Sequence, residues 1–306
     1  MKKFWVFVFT VCLLIVPHSW AGEIERIQEK GEITVSLNQG YPPFAMKKDS
    51  KLFGLDVDLA NLMADYLGVK VRFIQPESYD QQIPKLLSGE SDIIIAAMTR
   101  TVRRGLQVNF TKPYYEVSQA ALVDRKLIGP QTSSYFDLTD IPGLTLGVKA
   151  GTTHETFARQ LFRAGAIKTY PTAAEAAEAL TRGEVNAMVA DSPFVRVWRS
   201  THPKQYARIR ALLEPVTRET YGFAIRRGDE DFLNWLNLFI DQVTADGTLA
   251  MLKYEYFERM SWAGAQYAQT KMPTRAELLK NRFLDKRKKQ IERLRRQLPL
   301  QGDAYE

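Results

Sequence analysis

The chain has a single cysteine, Cys12, and three histidines, His18, His154 and His202. One thiol excludes an internal disulfide framework, and Cys12 lies within an N-terminal apolar run, so no thiol chemistry is expected of the rest of the chain. His154 and His202 lack metal-ligand spacing and read as structural histidines. The G-x-S-x-G elbow, the GxxxxGK[ST] phosphate cradle and the H-E-x-x-H zinc pair are all missing. No nucleotide, metal or other cofactor is therefore expected. Beyond the N-terminus, no apolar run reaches the roughly 20 residues a bilayer span needs. Excess positive charge is also scarce where it would matter. The net charge is +7 over 306 residues, but eleven basic and five acidic residues lie between Trp262 and Glu306, and Lys2 and Lys3 add two more. The rest of the chain is close to neutral, which argues against a nucleic-acid partner.

The N-terminus reads as an export signal. Lys2 and Lys3 precede the apolar stretch Phe4 to Val16, and Ser19-Trp20-Ala21 puts small residues at the −3 and −1 positions of a cleavage site. Residues 1–21 are therefore expected to be a cleaved signal peptide, giving a periplasmic protein. Cys12 is followed by Leu13, Leu14, Ile15 and Val16, the wrong context for a lipid-modified cysteine.

Strand and helix patterns then alternate. Ile33–Leu37 and Val69–Ile74 are β-branched runs, while Asp56–Leu67 and Asp80–Ser88 have helical spacing and stop at Gly68 and Gly89. Asp92–Met98 is a continuous apolar run suited to a buried parallel strand. The rhythm restarts after Pro142-Gly143. Leu144–Val148, Ile167–Tyr170 and Val185–Ala190 read as strands; Thr153–Ala164 and Ala173–Arg182 read as helices. A strand at Tyr221–Arg226 and helices at Asp231–Val243 and Leu249–Phe257 follow. Two series of βαβ units predict an α/β protein of two lobes, each a mostly parallel sheet flanked by helices. Residues 262–306 read as a basic, loosely amphipathic helical tail that lies on the body or meets an anionic membrane surface or a partner.

In such sheets ligands bind beyond the carboxyl ends of the strands. Thr99, Thr101 and Arg104 follow the apolar run 92–98. Gly151-Thr152-Thr153 follows another strand and opens a helix, whose backbone N–H groups attract a carboxylate. Arg104 can hold a carboxylate in a fork, and Asp191, after the strand 185–190, can receive an ammonium. Arg plus Asp at facing sheet ends suits an α-amino acid. The same residues would also serve as helix caps and surface ion pairs.

Several segments carry a resemblance. They are Tyr41-Pro-Pro-Phe44, Gly54-Leu-Asp-Val-Asp58, Tyr79-Asp80, Ile83 to Gly89, Asp92 to Thr101 with Arg104, Asn109 to Tyr115, Gly147 to Thr153, and Ala190-Asp191. In this order and spacing, from about Gly31 to Phe257, the chain resembles the periplasmic amino-acid-binding proteins of ABC importers. The resemblance implies a two-lobed periplasmic-binding-protein fold with a two-strand hinge near Tyr115–Val123 and Glu214–Tyr221. Lobe one would be 24–117 plus 219–261, and lobe two 118–218. Arg104 would bind the ligand α-carboxylate, with Thr99 and the Thr152–Thr153 turn. Asp191 would bind the α-ammonium, with the Ala97 carbonyl. Tyr41 and Tyr79 would sandwich the ligand side chain; Phe44 would pack, and Asp56 and Asp58 would cap a helix. Hinge closure would deliver the amino acid to an inner-membrane ABC permease, and the protein would be a monomer without enzymatic activity.

Two features depart from the family pattern. Asn38 stands where cation-preferring members often carry an acid, which argues against a Lys, Arg or His ligand. Arg100 and Arg103 flank the anchor Arg104 and either favour a second carboxylate or face solvent. Two other readings stay open. One is a dehydratase resembling cyclohexadienyl dehydratase, for which no proton-donating carboxyl group stands out. The other is a sensory or cell-wall-associated binding module, since Gly54–Val71 and Tyr114–Val123 are also similar to the binding-like half of membrane-bound lytic transglycosylases.

Overall fold

The computed structural model of the chain describes residues 22–163 and 166–264, with 274, 276, 277 and 280. The signal 1–21, Ala164, and nearly all of the tail 262–306 lie outside the described residues; the helix expected over 153–164 ends at Leu161, where Phe162 turns extended.

From the start, α1 (Glu23–Lys30) leads into β1 (Glu32–Ser36), the hairpin of β2 (Met46–Lys48) and β3 (Lys51–Phe53), and α2 (Leu55–Leu67). Next come β4 (Lys70–Ile74), α3 (Gln82–Leu87), β5 (Ile93–Ile94), α4 (Val102–Gly105) and β6 (Asn109–Phe110). The chain crosses through β7 (Tyr115–Val117) into β8 (Gln119–Asp124), β9 (Leu146–Lys149), α5 (Thr153–Leu161), β10 (Ile167–Tyr170) and α6 (Ala173–Arg182). After β11 (Ala187–Asp191), α7 (Ser192–Thr201) and β12 (Ile209–Leu212), it returns through β13 (Glu219–Tyr221) to β14 (Ala224–Ile225), α8 (Glu230–Ala245) and α9 (Thr248–Lys253).

The strands form two five-stranded sheets, ordered β4-β1-β5-β14-β6 and β10-β9-β11-β8-β12. In each, four strands run in one direction and the fourth in order is reversed: β14 is antiparallel to β5 and β6, and β8 to β11 and β12. Each lobe is thus the mostly parallel, helix-flanked sheet that the alternating pattern predicts. The reversed strands exist because the chain passes between lobes twice. The passages run side by side as the antiparallel pair β7–β13, with Tyr115 opposite Tyr221. That pair is the two-strand hinge.

Helix ends follow the sequence signals. Gly68 and Gly183 close α2 and α6 in the left-handed conformation, and Thr152 and Thr172 cap α5 and α6 through their side chains. Three expectations change in detail. The run 92–98 is buried throughout, but its ladder covers only Ile93–Ile94; Ile95 still donates to Ser36, then Ala97 at φ 47° turns the chain out of the sheet. The strand expected at 221–226 divides into β13 and β14 because its first residue belongs to the hinge and its last to sheet one. The helix expected at 249–257 opens into a π-turn, Tyr254–Arg259, which carries the Tyr256 hydroxyl to Gly54 N and Asp58. No described helix is long and apolar enough to cross a membrane.

Candidate functional site

Asn38, Tyr41, Tyr79, Ala97, Thr99, Arg104, Thr152, Thr153 and Asp191 all line one cleft between the two sheets. The cleft holds about 360 Å3 of atom-free space, part of it continuous with solvent. It sits where the α/β rule puts it. Asn38 and Tyr41 follow β1, Ala97 to Arg104 follow β5, Thr152 and Thr153 follow β9, and Asp191 ends β11. The lobes approach closely here: at Gly151, φ 73°, an added Cβ would come within 2.9 Å of the Asp80 Cβ across the cleft. Glycine is the residue that permits both the backbone angle and the approach.

Asp191 is the buried anionic centre, 3% exposed. Its Oδ2 accepts from the Tyr41 hydroxyl at 2.7 Å and from the Tyr221 hydroxyl, and its Oδ1 meets His154 Nε2 at 3.0 Å. Burial pushes the Asp191 carboxyl up, but the His154 imidazole and the two hydroxyls outweigh it and hold the carboxyl below its usual range. His154 loses basicity to burial and regains more from Asp191, so it is raised. A carboxylate offers about four lone-pair sites; three are engaged, and one remains for an ammonium.

Across the cleft, Arg104 Nη1 donates to the Thr99 carbonyl at 2.9 Å and Nη2 to the Gly151 carbonyl at 3.4 Å. The Thr101 side chain caps the short α4 by accepting from Arg104 N, which fixes the start of that side chain. Ala97 owes its strained backbone to Asp56. The Asp56 carboxylate accepts from Ala97 N at 2.8 Å and from the Tyr114 hydroxyl at 2.8 Å. Asp56 therefore does not cap its helix, as the sequence suggested; Gly54 stands at the N-cap without a side-chain bond, and Asp56 turns inward to hold the cleft floor. Asp58 likewise bonds the Tyr256 hydroxyl.

Full burial raises the Asp56 carboxyl to about 7, with the two donors opposing. A folded pKa above the unfolded value means a contribution fully present below about pH 4 and lost as pH rises through about 7. The protein is expected to lose on the order of 3–4 kcal/mol from this group between those limits. Asp56→Asn, a shape match for the protonated acid, should flatten that part of the profile. Denaturant unfolding of both proteins at pH 5 and pH 8 checks this; parallel profiles would remove Asp56 as the cause.

The tyrosines behave differently from a simple sandwich. Tyr41 is 4% exposed and stacks on Phe194 at 5.5 Å, and its ring and that of Tyr79 face Lys149, whose Nζ lies 5.7 Å and 4.6 Å from the two centroids. Lys149 Nζ also donates to Asn38 Oδ1. Burial pushes Lys149 down to about 8, against the pull of Asp191. The chain's own lysine thus occupies the space between the rings. Phe44, by contrast, only packs, against Tyr115, Tyr221 and Phe257.

Sequence reasoning missed Lys149 and His154, the second of which it assigned a purely structural role. Both line the cleft with Ala173, Val189 and Ala190. The signal was present, because Lys149 and His154 bracket the Gly151-Thr152-Thr153 turn already singled out. Arg100 and Arg103 do not line the cleft; the Arg100 side chain packs against Gly222 in the hinge region. Among the described residues no group of three or more His, Cys, Asp and Glu is arranged to hold a metal.

The chain belongs to the bacterial extracellular solute-binding proteins, family 3, whose profile matches residues 33–259. It is 29% identical over 238 residues to the L-cystine-binding protein TcyJ of Escherichia coli K12, covering 77% of this chain and 86% of that one. A Wolinella succinogenes protein solved in complex with lysine shares 40% identity, with a TM-score of 0.71 over 76% of this chain and 98% of that chain. An ancestral amino-acid-binding protein, a precursor of cyclohexadienyl dehydratase, shares 33% identity, with a TM-score of 0.69 over 78% of this chain and all of that one.

Proposed function

We propose that this family member is an exported receptor that closes its two lobes around a free amino acid and delivers it to an inner-membrane ABC permease. The observation that carries the reading is the pairing of Arg104, in α4 beyond one sheet, and Asp191, at the end of β11 in the other, within one cleft. Arg104, with Thr99 and the Thr152–Thr153 turn, takes the α-carboxylate. Asp191, with the Ala97 carbonyl, takes the α-ammonium at its remaining lone pair. Tyr41, Tyr79 and Asn38 flank the side chain. Residues 24–117 plus 219–261 move against 118–218 about β7 and β13, a hinge closure of the kind that traps small ligands. Residues 1–21 are the cleaved export signal to the periplasm. The receptor works as a monomer, and the basic tail 262–306 contacts the membrane surface or a partner.

A dehydratase needs a carboxyl group that can give up a proton to a leaving hydroxyl. Asp191 is the one carboxylate among the described cleft-lining residues, and its donors keep it ionised. That supports a binding protein rather than an enzyme.

The test is a thermal-shift screen of residues 22–306 against the amino acids, small peptides and muropeptides. A ligand at about 100 times its dissociation constant adds about 2.7 kcal/mol to stability. Arg104→Ala is expected to weaken binding of the responding amino acid at least thirtyfold, roughly the cost of leaving a buried carboxylate unpaired. A response to muropeptides alone would replace the transport reading with the sensory one.

A further inference from the structure

The charges facing the cleft exceed what a simple zwitterion balances. Arg104 pairs with an α-carboxylate and Asp191 with an α-ammonium, so Lys149 is left over. Lys149 is 6% exposed, yet its ammonium is met by a neutral amide, Asn38 Oδ1, and by the ring faces of Tyr41 and Tyr79. An ammonium has three N–H donors, and the anion that acts on it from a distance, Asp191, bonds Tyr41, Tyr221 and His154 instead, which leaves Lys149 a costly buried cation without a direct anionic partner. Burial accordingly pushes Lys149 down to about 8. His154 adds positive charge when protonated and none otherwise, so neither of its states supplies the missing anion.

We infer that the cleft is built for an amino acid whose side chain carries a second carboxylate, and that Lys149 takes that carboxylate between the rings of Tyr41 and Tyr79. This rests on the amino-acid receptor reading and names the substrate class within it. Asn38 accepts from Lys149 through Oδ1, which leaves its Nδ2 to donate to the same carboxylate. A lysine or arginine ligand would instead set a second cation against Lys149, a like-charge contact that disfavours it. Lys149 is thus the specificity-determining residue, sorting acidic from basic side chains at the site where Arg104 and Asp191 hold the common α-groups.

Calorimetry on the ligand-free, refolded protein tests this with L-aspartate, L-glutamate, L-2-aminoadipate, L-glutamine, L-lysine and L-arginine. At least one acid is expected to bind about thirtyfold or more tightly than glutamine and the two bases. Lys149→Met keeps the length of the stem and removes the ammonium, and it should reduce that preference to a few-fold. At pH 8, in buffers of different ionisation enthalpy, the wild-type protein should take up a fraction of a proton on binding an acidic ligand as Lys149 is recharged, and Lys149→Met should take up less. If lysine, arginine or glutamine binds as tightly as the acids, or if Lys149→Met keeps the acid preference, the inference is wrong and the receptor reading stands. If none of the six binds and no other amino acid shifts the melting temperature, both fail. Should the variant not fold, the wild-type panel and the proton uptake decide alone.

Discussion

Asp191→Ala is expected to abolish amino-acid binding and to lower folding stability by about 3–5 kcal/mol, the range for removing one partner of a buried ion pair. Three donors converge on this carboxylate: Tyr41, Tyr221 and His154, all at buried atoms. Without it, two hydroxyls and an imidazole lose their shared acceptor, and each unmet polar group adds its own penalty. The loss also has a pH signature. The Asp191 carboxyl is held low, so its contribution is present above about pH 4 and fades as pH falls through the folded value. The His154 imidazole is raised, so its contribution is full below about pH 6.5 and fades as pH rises through the folded value. Together they favour the mildly acidic range, and Asp191→Ala should remove both of these contributions while the decline due to Asp56 remains. Denaturant titrations at pH 4.5, 6 and 8.5 measure this. A loss under 1 kcal/mol at every pH would mean that the cluster adds nothing to the fold.

Local signals in the chain were sufficient for the architecture because they agree with the global arrangement. The apolar runs at Ile33–Leu37 and Val185–Ala190 became central strands β1 and β11, and glycines 68 and 183 ended the helices they were expected to end. What stayed illegible depends on pairing across distance. Tyr221–Arg226 looks like one strand by composition, but its register is divided between Tyr115 in the hinge and Asn109 in sheet one. Nothing local marks that division except Gly222. The turn at Ala97 was equally hidden, since a positive φ at an alanine is imposed from outside, here by a carboxylate 41 residues earlier in the chain.

The cleft shows the same limit. Residues that follow strand ends were readable as site candidates because topology alone brings strand ends together, and all nine candidates line the cleft. The charge balance was not readable. Lys149 is the last residue of β9, and alternation alone does not say whether a strand-end lysine turns to solvent or inward; packing against Tyr41 and Tyr79 from the other lobe turns it inward. His154 is one residue inside α5, and only the proximity of Asp191, which ends a different strand, makes it part of the site.

Gly54→Ala is expected to cost about 3 kcal/mol or more and to weaken binding, although Gly54 does not line the cleft. Gly54 sits at φ 135° and ψ 169°, a region that is essentially glycine's alone. A Cβ there would come 2.2 Å from the Phe44 carbonyl oxygen and 2.6 Å from its carbon. Backbone atoms cannot swing aside as a side chain would. The Phe44 carbonyl accepts from Asp56 N at 2.9 Å, and the Phe44 ring is fully buried among Tyr115, Tyr221 and Phe257. Backbone strain and overpacking each add about 1–3 kcal/mol. The displaced segment also carries Tyr41, whose carbonyl accepts from Phe44 N at 2.9 Å and whose hydroxyl is a donor to Asp191. Gly68→Ala is the control: its φ is 73°, but nothing lies within 4 Å of an added Cβ, so only the backbone penalty of about 1–2 kcal/mol applies. Thermal unfolding of the two variants separates the effects, since each kcal/mol shifts the melting temperature of a protein near this size by about 2–4 °C. Gly54→Ala should fall well below Gly68→Ala and bind amino acid more weakly. Equal losses, with binding intact in both, would show that the Phe44 contact can relax and that the position of Tyr41 does not depend on it.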